Sequence, residues 1–294
     1  MAAPEPQAAA GDPTPHPGMR WTGGVERHAV RPSPATSPAP ALAPHRSTVE
    51  RLRAAGCVAA EEEAAELVAV SGDDRRLLEA LVQRRSNGEP LAWITGEVRF
   101  CGERVLVHPG VYVPRWQSEP LATEALARLP LGGTAVDLCT GAGAVAVVLA
   151  RGRPSARVLA TDLDPAAIAC ARANGVEAIQ CDLGAGLPDS LAGNVDVVTA
   201  VAPYVPTAAL GLLPRDVTAY EPRHALDGGP DGTAVLARVV ADAARLLGPG
   251  GSLLAELGHG QVEPLAPVLA DHGFGEPVLL ADEDGDLRGI ACRR

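Results

Sequence analysis

The 294-residue sequence contains no lysine, and all 25 of its Lys+Arg positions are arginine. Without a side-chain amine the chain has no Schiff-base chemistry, no pyridoxal-phosphate anchor and no P-loop lysine. Long apolar runs are missing as well. None approaches the roughly 20 residues needed to cross a bilayer, so no membrane association is expected. Met1 to Ala10 lacks the basic start and apolar stretch of a secretory signal, which leads to an expected cytoplasmic location. The six cysteines are scattered, with no CxxC pair and no His at metal-ligand spacing. Reduced, mostly buried thiols and no metal site are expected. Cationic surface is also scarce: 36 acidic residues against 25 basic give a net charge of −11, which argues against stable nucleic-acid binding.

A hydrophobic share of 47% and this length suit one ordinary domain plus a smaller one. Residues 1–46 are rich in Pro, Ala, Gly and Ser without apolar periodicity, and a disordered tail is expected there. Residues 47–89 read as a small helical domain. Ser47-Thr-Val-Glu50 has the form of a capping box, a second helix fits 60–70, and a third fits 73–85 with Leu77, Leu78, Leu81 and Val82 facing inward. Residues 90–116 change to short alternating runs at Trp93-Ile94, Val98–Phe100 and Val105–Val107, read as a β-hairpin linker. From 117 to 294, strands alternate with helices, which predicts an α/β fold with a doubly wound, mostly parallel sheet. The last two strands, joined by Asp282 to Asp286, are close enough for an antiparallel hairpin, an addition unusual for a dinucleotide-binding fold.

The segment Val136-Asp137-Leu138-Cys139-Thr140-Gly141-Ala142-Gly143 ends a strand and opens a helix. Glycines there let the backbone turn sharply and approach a ligand beside a helix N-terminus. Taken alone it also satisfies the dinucleotide pattern through Gly141, Gly143 and Ala146. Three further features favour S-adenosylmethionine over NAD. The second strand ends in Asp162, placed to accept both ribose hydroxyls; the third ends in Asp182, placed to accept from an adenine amino group. The fourth ends in Ala202-Pro203-Tyr204, at the mouth where a methyl acceptor lies. Asp137, Thr140, Gly141, Gly143, Asp162 and Asp182 are therefore the candidate cofactor residues.

From Pro90 onward the chain resembles the protein-(glutamine-N5) methyltransferases, class I S-adenosylmethionine-dependent enzymes that modify peptide-chain release factors. The stretches that carry the resemblance are Pro90-Leu-Ala-Trp-Ile-Thr-Gly96, Pro109-Gly-Val-Tyr-Val-Pro-Arg115, Asp137-Leu-Cys-Thr-Gly-Ala-Gly143, Ala202-Pro-Tyr-Val-Pro206, Tyr220-Glu-Pro-Arg-His-Ala-Leu-Asp-Gly-Gly229 and Glu256-Leu-Gly-His-Gly-Gln261. The resemblance implies methyl transfer to a glutamine side-chain amide of a release factor. It also implies a partner-recognition role for the helical domain at 47–89.

In that family the fourth strand ends in Asn-Pro-Pro-Tyr. An amide nitrogen is a poor nucleophile because its lone pair is delocalised into the carbonyl. The Asn side-chain oxygen and a backbone carbonyl of the Pro segment hold the NH2 and aim its lone pair at the sulfonium methyl, while the Tyr packs on the amide plane. Here the tetrapeptide is Val201-Ala202-Pro203-Tyr204, so Val201 removes one acceptor. Leaving a buried donor unpartnered costs about 1–3 kcal/mol, or roughly 10- to 100-fold in rate. Val201, Pro203 and Tyr204 are the candidate catalytic positions, and Ala202, Pro203, Tyr204 and Glu119 the candidate substrate-binding ones. Glu119 is the residue of Trp116-Gln117-Ser118-Glu119 that matches the family's Pro-Glu-Thr-Glu. Three other readings stay open on the sequence: a methyltransferase for another acceptor, a non-catalytic binder of cofactor or partner, and an NAD oxidoreductase supported by the glycine turn alone. Arg223 and Asp227 are expected to order the loop after Tyr204, and His259 to be a loop residue satisfied by the backbone.

Overall fold

The computed structural model describes residues 46–294, so the expected tail lies outside the described residues apart from its last position. Three helices come first: α1 (Arg46–Ala54), α2 (Ala60–Ser71) and α3 (Arg75–Ser86). They bury Leu52, Leu67, Leu81 and Val82 in a small core of their own. Asp74 caps α3, accepting the N–H of Arg76 and Leu77 through its side chain. Two expectations fail here. Ser47 lies inside α1, and Glu50 takes the Arg46 guanidinium at 3.1 Å rather than reaching back to cap. Leu77 is 40% exposed, because the three-helix core is closed by Leu81 and Val82 one turn further on.

Leu91–Thr95 forms α4 rather than a strand. Pro90 precedes its first residue and Gly96 follows its last in the left-handed conformation, the punctuation of a helix. The hairpin follows as expected, with β1 (Glu97–Phe100) antiparallel to β2 (Glu103–Leu106). The chain then enters α5 (Glu119–Arg128).

The seven-stranded sheet is built from β3 (Thr134–Leu138), β4 (Arg157–Asp162), β5 (Glu177–Gln180), β6 (Val195–Ala200), β7 (Leu247–Glu256), β8 (Val278–Ala281) and β9 (Leu287–Arg293). Its spatial order is β5-β4-β3-β6-β7-β9-β8. The first five strands are parallel and β9 runs antiparallel to both β7 and β8. The predicted doubly wound sheet and closing hairpin are both present. Burial alternates along the strands: Ala135, Val197, Leu254 and Ala291 face one core, and Val136, Val198, Leu253 and Ile290 face the other. On the first face lie α5, α6 (Ala144–Gly152) and α7 (Pro165–Ala173); on the second lie α9 (Ala234–Leu246) and α10 (Val262–Asp271), with the short helix α8 (Arg215–Tyr220) in the loop that precedes α9.

The run Gly248–Gly251, for all its turn-forming residues, lies within β7. Val195 pairs with Leu247 and Val197 with Ser252, so the four residues bulge out while pairing continues on either side. Among the described residues no helix is long and apolar enough to cross a membrane. All six cysteines are free thiols, Cys57, Cys170 and Cys292 buried and the others half-buried.

Candidate active site

Strand order reverses between β3 and β6, and in open α/β sheets the crevice beyond the strand ends at this point is where ligands bind. A cavity opens there. Its walls include Asp137 in β3 with Cys139, Thr140, Gly141 and Ala142 after it, Asp162 at the end of β4 with Leu163 and Asp164, and Asp182 and Leu183 after β5. Val201 and Pro203 after β6 line it too, with Tyr112, Ser118, His224 and Arg238. One cavity thus joins the glycine turn to the acceptor tetrapeptide.

Asp137 is buried on the sheet, directly across from Thr199 in the β3–β6 register. The Thr199 hydroxyl donates to its Oδ1 at 2.7 Å and the Thr140 hydroxyl to its Oδ2 at 2.5 Å. Burial pushes the Asp137 carboxyl up to about 6, against the pull of those two hydroxyls. Asp162 receives the Gly141 N–H on Oδ2 at 2.8 Å and the Asp164 N–H on Oδ1 at 2.9 Å. Each carboxylate oxygen carries a second lone pair, so Asp162 can fix the turn and still accept from a ligand. Burial raises this carboxyl too. Asp182 pairs with Arg238 at 2.7 Å, and both side chains are about half exposed.

Gly141 has φ 55° and open space where a Cβ would stand. Gly143, also expected to touch cofactor, does not line the cavity. Its φ is 84°, and an added Cβ would sit 3.1 Å from that of Ala171, so this glycine lets α6 and α7 approach one another.

The acceptor segment departs further from expectation. Ala202 is buried and lies outside the cavity lining. Tyr204 is not on the cavity wall either. Its ring packs against the second core, and its hydroxyl faces the buried Glu256. Tyr204 instead lines a second opening, together with Asp231, Gly258, His259 and Gln261. Glu119 is likewise turned away: its Oε1 accepts the N–H of Cys101 at 2.9 Å. Cys101 holds φ 49° in the hairpin turn, and the carboxylate stabilises that turn instead of a substrate.

The path of the acceptor loop is set by main-chain contacts. Gln261 Nε2 donates to the Tyr204 carbonyl at 2.7 Å, while its Oε1 accepts the Gly258 N–H at 2.7 Å. Gly228 passes so close that an added Cβ would lie 2.7 Å from the Pro203 carbonyl oxygen. Arg223 and Asp227 order the loop as read from sequence: Asp227 takes the Thr207 hydroxyl at 2.6 Å and Arg223 at 3.1 Å. His259 is exposed, with none of the backbone hydrogen bonds expected of it among the described contacts.

Several residues on or behind the cavity wall were not singled out from the sequence. Arg115 pairs with Glu221 and its guanidinium lies 4.5 Å above the Tyr112 ring; burial pushes the Tyr112 hydroxyl up to about 12. His224 approaches Asp164 across the cavity at 3.3 Å. Tyr112, Arg115, Glu221, His224 and Glu256 all fall within the motifs that carried the resemblance, which was the signal available for them. Ser118 had only its place in the Trp116–Glu119 segment, and Arg238 had none.

Four carboxylates, Asp137, Asp162, Asp164 and Asp182, line the cavity against one arginine and one histidine. Such a surface repels a dinucleotide's pyrophosphate and suits a cationic ligand. The match to known proteins agrees. Residues 104–193 match the methyltransferase small domain family. A release factor glutamine methyltransferase from Geobacter sulfurreducens is 38% identical over 219 residues, covering 72% of this chain and 76% of the relative. One from Mycobacterium leprae is 39% identical over 273 residues, covering 84% and 94%. The chain belongs to the release factor glutamine methyltransferase family. It is therefore a class I methyltransferase that uses S-adenosylmethionine. Similarity also extends to a 4-amino-L-phenylalanine/4-methylamino-L-phenylalanine methyltransferase from Streptomyces pristinaespiralis, 40% identical over 192 residues, with 62% of this chain and 65% of that one covered.

Proposed function

We propose that this protein transfers the methyl group of S-adenosylmethionine to the side-chain amide nitrogen of a glutamine in a peptide-chain release factor. The observation that carries this reading is the continuity of one cavity from the glycine turn and its carboxylates to Val201 and Pro203, in a chain of that family. Bound S-adenosylmethionine supplies an electrophilic methyl on a positively charged sulfonium. In this reading Asp162 and Asp182 hold the ribose and adenine, Gly141 admits the backbone approach, and Asp137 with Thr140 keeps the turn in place. Gly143 shapes the turn without touching the ligand. At the other end the Pro203 carbonyl region receives one amide N–H and fixes the nitrogen in line with the methyl, with positioning as the main lever on rate. Tyr204 acts from behind, holding the loop through Glu256, and residues 47–89 form the helical layer that meets the protein partner.

Mass spectrometry of a release factor's Gly-Gly-Gln peptide after incubation with S-adenosylmethionine tests this, with Val201→Asn alongside. Gain of one methyl on the glutamine by the natural protein is expected, and a rise of about 10-fold or more in rate for the Asn variant, the amount one restored acceptor is worth. No methyl gain with either protein sinks the reading.

A second reading rests on Val201 itself. A half-buried valine at the acceptor end, near Tyr112 and Pro203, suits an amine on an apolar ring, whose nitrogen does not need two amide-type acceptors. The arylamine methyltransferase relative gives that chemistry a precedent. Including 4-amino-L-phenylalanine in the same incubation separates the two.

A further inference from the structure

Glu256 is a buried carboxylate with no ion-pair partner among the described residues. The Ser118 hydroxyl donates to its Oε2, and the Tyr204 hydroxyl faces it as well. Burying a carboxylate without a counter-ion is costly, and this one sits directly behind the wall of the reaction cavity. Ser118 is on that wall together with Val201 and Pro203, and Tyr204 follows Pro203 in the chain. Both hydroxyls on Glu256 therefore belong to the acceptor end. With its hydrogen committed to Glu256, Ser118 Oγ has lone pairs left to receive an N–H. That is the capacity Val201 lacks.

We infer that Ser118 and Glu256 supply the acceptor function missing at Val201: Ser118 Oγ receives an N–H of the methyl acceptor, and Glu256 takes the proton released after transfer. The nitrogen lone pair forms the new N–CH3 bond, and the electron pair of the broken S–CH3 bond stays on sulfur. The nitrogen then gives one proton to Ser118 Oγ as the serine proton moves to Glu256. The resulting neutral acid returns its proton to water when product leaves. Ser118 is thus a catalytic residue and Glu256 a positioning residue that acts through it. The inference rests on the methyl-transfer reading but not on which nitrogen accepts.

The groups facing Glu256 come from every side: Ser118 before α5, Tyr112 and Arg115 from the preceding loop, Tyr204 after β6 and Arg288 on β9. Burial raises the Glu256 carboxyl, and the two hydroxyls and two arginines pull against it. Turnover that needs the ionised form falls away on the acid side, at a pH above the ordinary carboxylate range.

The test compares the natural protein with Ser118→Ala, Ser118→Thr and Glu256→Gln. Labelled methyl transfer to a release factor and to 4-amino-L-phenylalanine is followed across the pH range in which carboxylates titrate. Calorimetry measures S-adenosylmethionine affinity, and affinity for the Gly-Gly-Gln peptide in the presence of S-adenosylhomocysteine. Ser118→Ala should lower kcat about 10- to 100-fold, the worth of one lost acceptor, and weaken peptide binding while leaving cofactor affinity unchanged, with Ser118→Thr restoring most of the loss. Glu256→Gln should lower kcat and erase the acid limb of the pH profile. Variants that turn over like the natural protein, or that lose cofactor affinity in step with activity, overturn the assignment. Transfer to the arylamine alone overturns the release-factor reading while the same variants still decide the pair. Transfer to neither acceptor by the natural protein overturns both.

Discussion

Asp162 commits both carboxylate oxygens to the main chain, at Gly141 and Asp164, before any ligand arrives. Asp162→Ala therefore leaves two N–H groups of the cavity rim unpartnered, at about 1–3 kcal/mol each where water cannot replace the carboxylate. It should weaken S-adenosylmethionine binding at least 10-fold by calorimetry; unchanged affinity would remove Asp162 from the cofactor site. Asp137 makes a different prediction. Its folded-state pKa of about 6 lies above the ordinary 3.8, so the folded protein holds that proton more tightly than the unfolded chain. The stabilisation is complete below about pH 3.8 and is lost as pH rises through about 6. Asp137→Asn cannot ionise and has no such slope. Melting temperatures of the two proteins should move in the variant's favour between about pH 4 and about pH 7, and a constant gap would mean the carboxyl is not perturbed as described.

Among the elements, those with a strong period or clear ends were readable from residues alone. The ends of the helix Pro165–Ala173 are written in its residues, with Asp164 capping it and Pro165 in its first position, and the β3–β4–β5–β6 succession followed from apolar runs between helices. The misreadings share a cause. Trp93-Ile94 is too short to show a period, so the apolar pair read as strand although Pro90 and Gly96 marked a helix. The segments Thr207–Leu212, Arg215–Tyr220 and Arg223–Ala225 each start after a proline and bury little, leaving no apolar pattern to read. At the site, carboxylates at strand ends were legible because topology places them. The orientations of Glu119, Tyr204 and Ala202 were not, since they depend on tertiary neighbours. The same logic predicts stability: Ile290 in β9 is fully buried, while Val278 on edge strand β8 is 56% exposed. Ile290→Ala should cost about 2–5 kcal/mol in chemical denaturation, and Val278→Ala no more than about 0.5 kcal/mol.

For the molecule as a whole, α4 is a joint. Trp93 and Ile94 are neighbours in sequence, yet Trp93 packs into the core beneath α5 and Ile94 into the three-helix core. The Trp93 indole N–H donates to the Val111 carbonyl at 2.9 Å, and its ring meets Tyr220 edge-on at 6.1 Å. A single calorimetric transition is therefore expected over residues 46–294. Ile94→Ala, costing about 2–4 kcal/mol, should make the helical layer melt ahead of the sheet; retention of one sharp transition would show that other contacts couple them. A last consequence concerns the acceptor loop, whose backbone is fenced by Gly228, Gly232 and the Gln261 amide. Those contacts grip carbonyls and α-carbons and ignore side chains. The chain's course there is thereby insulated from the side chain at position 201, which can be exchanged while the loop stays where it was.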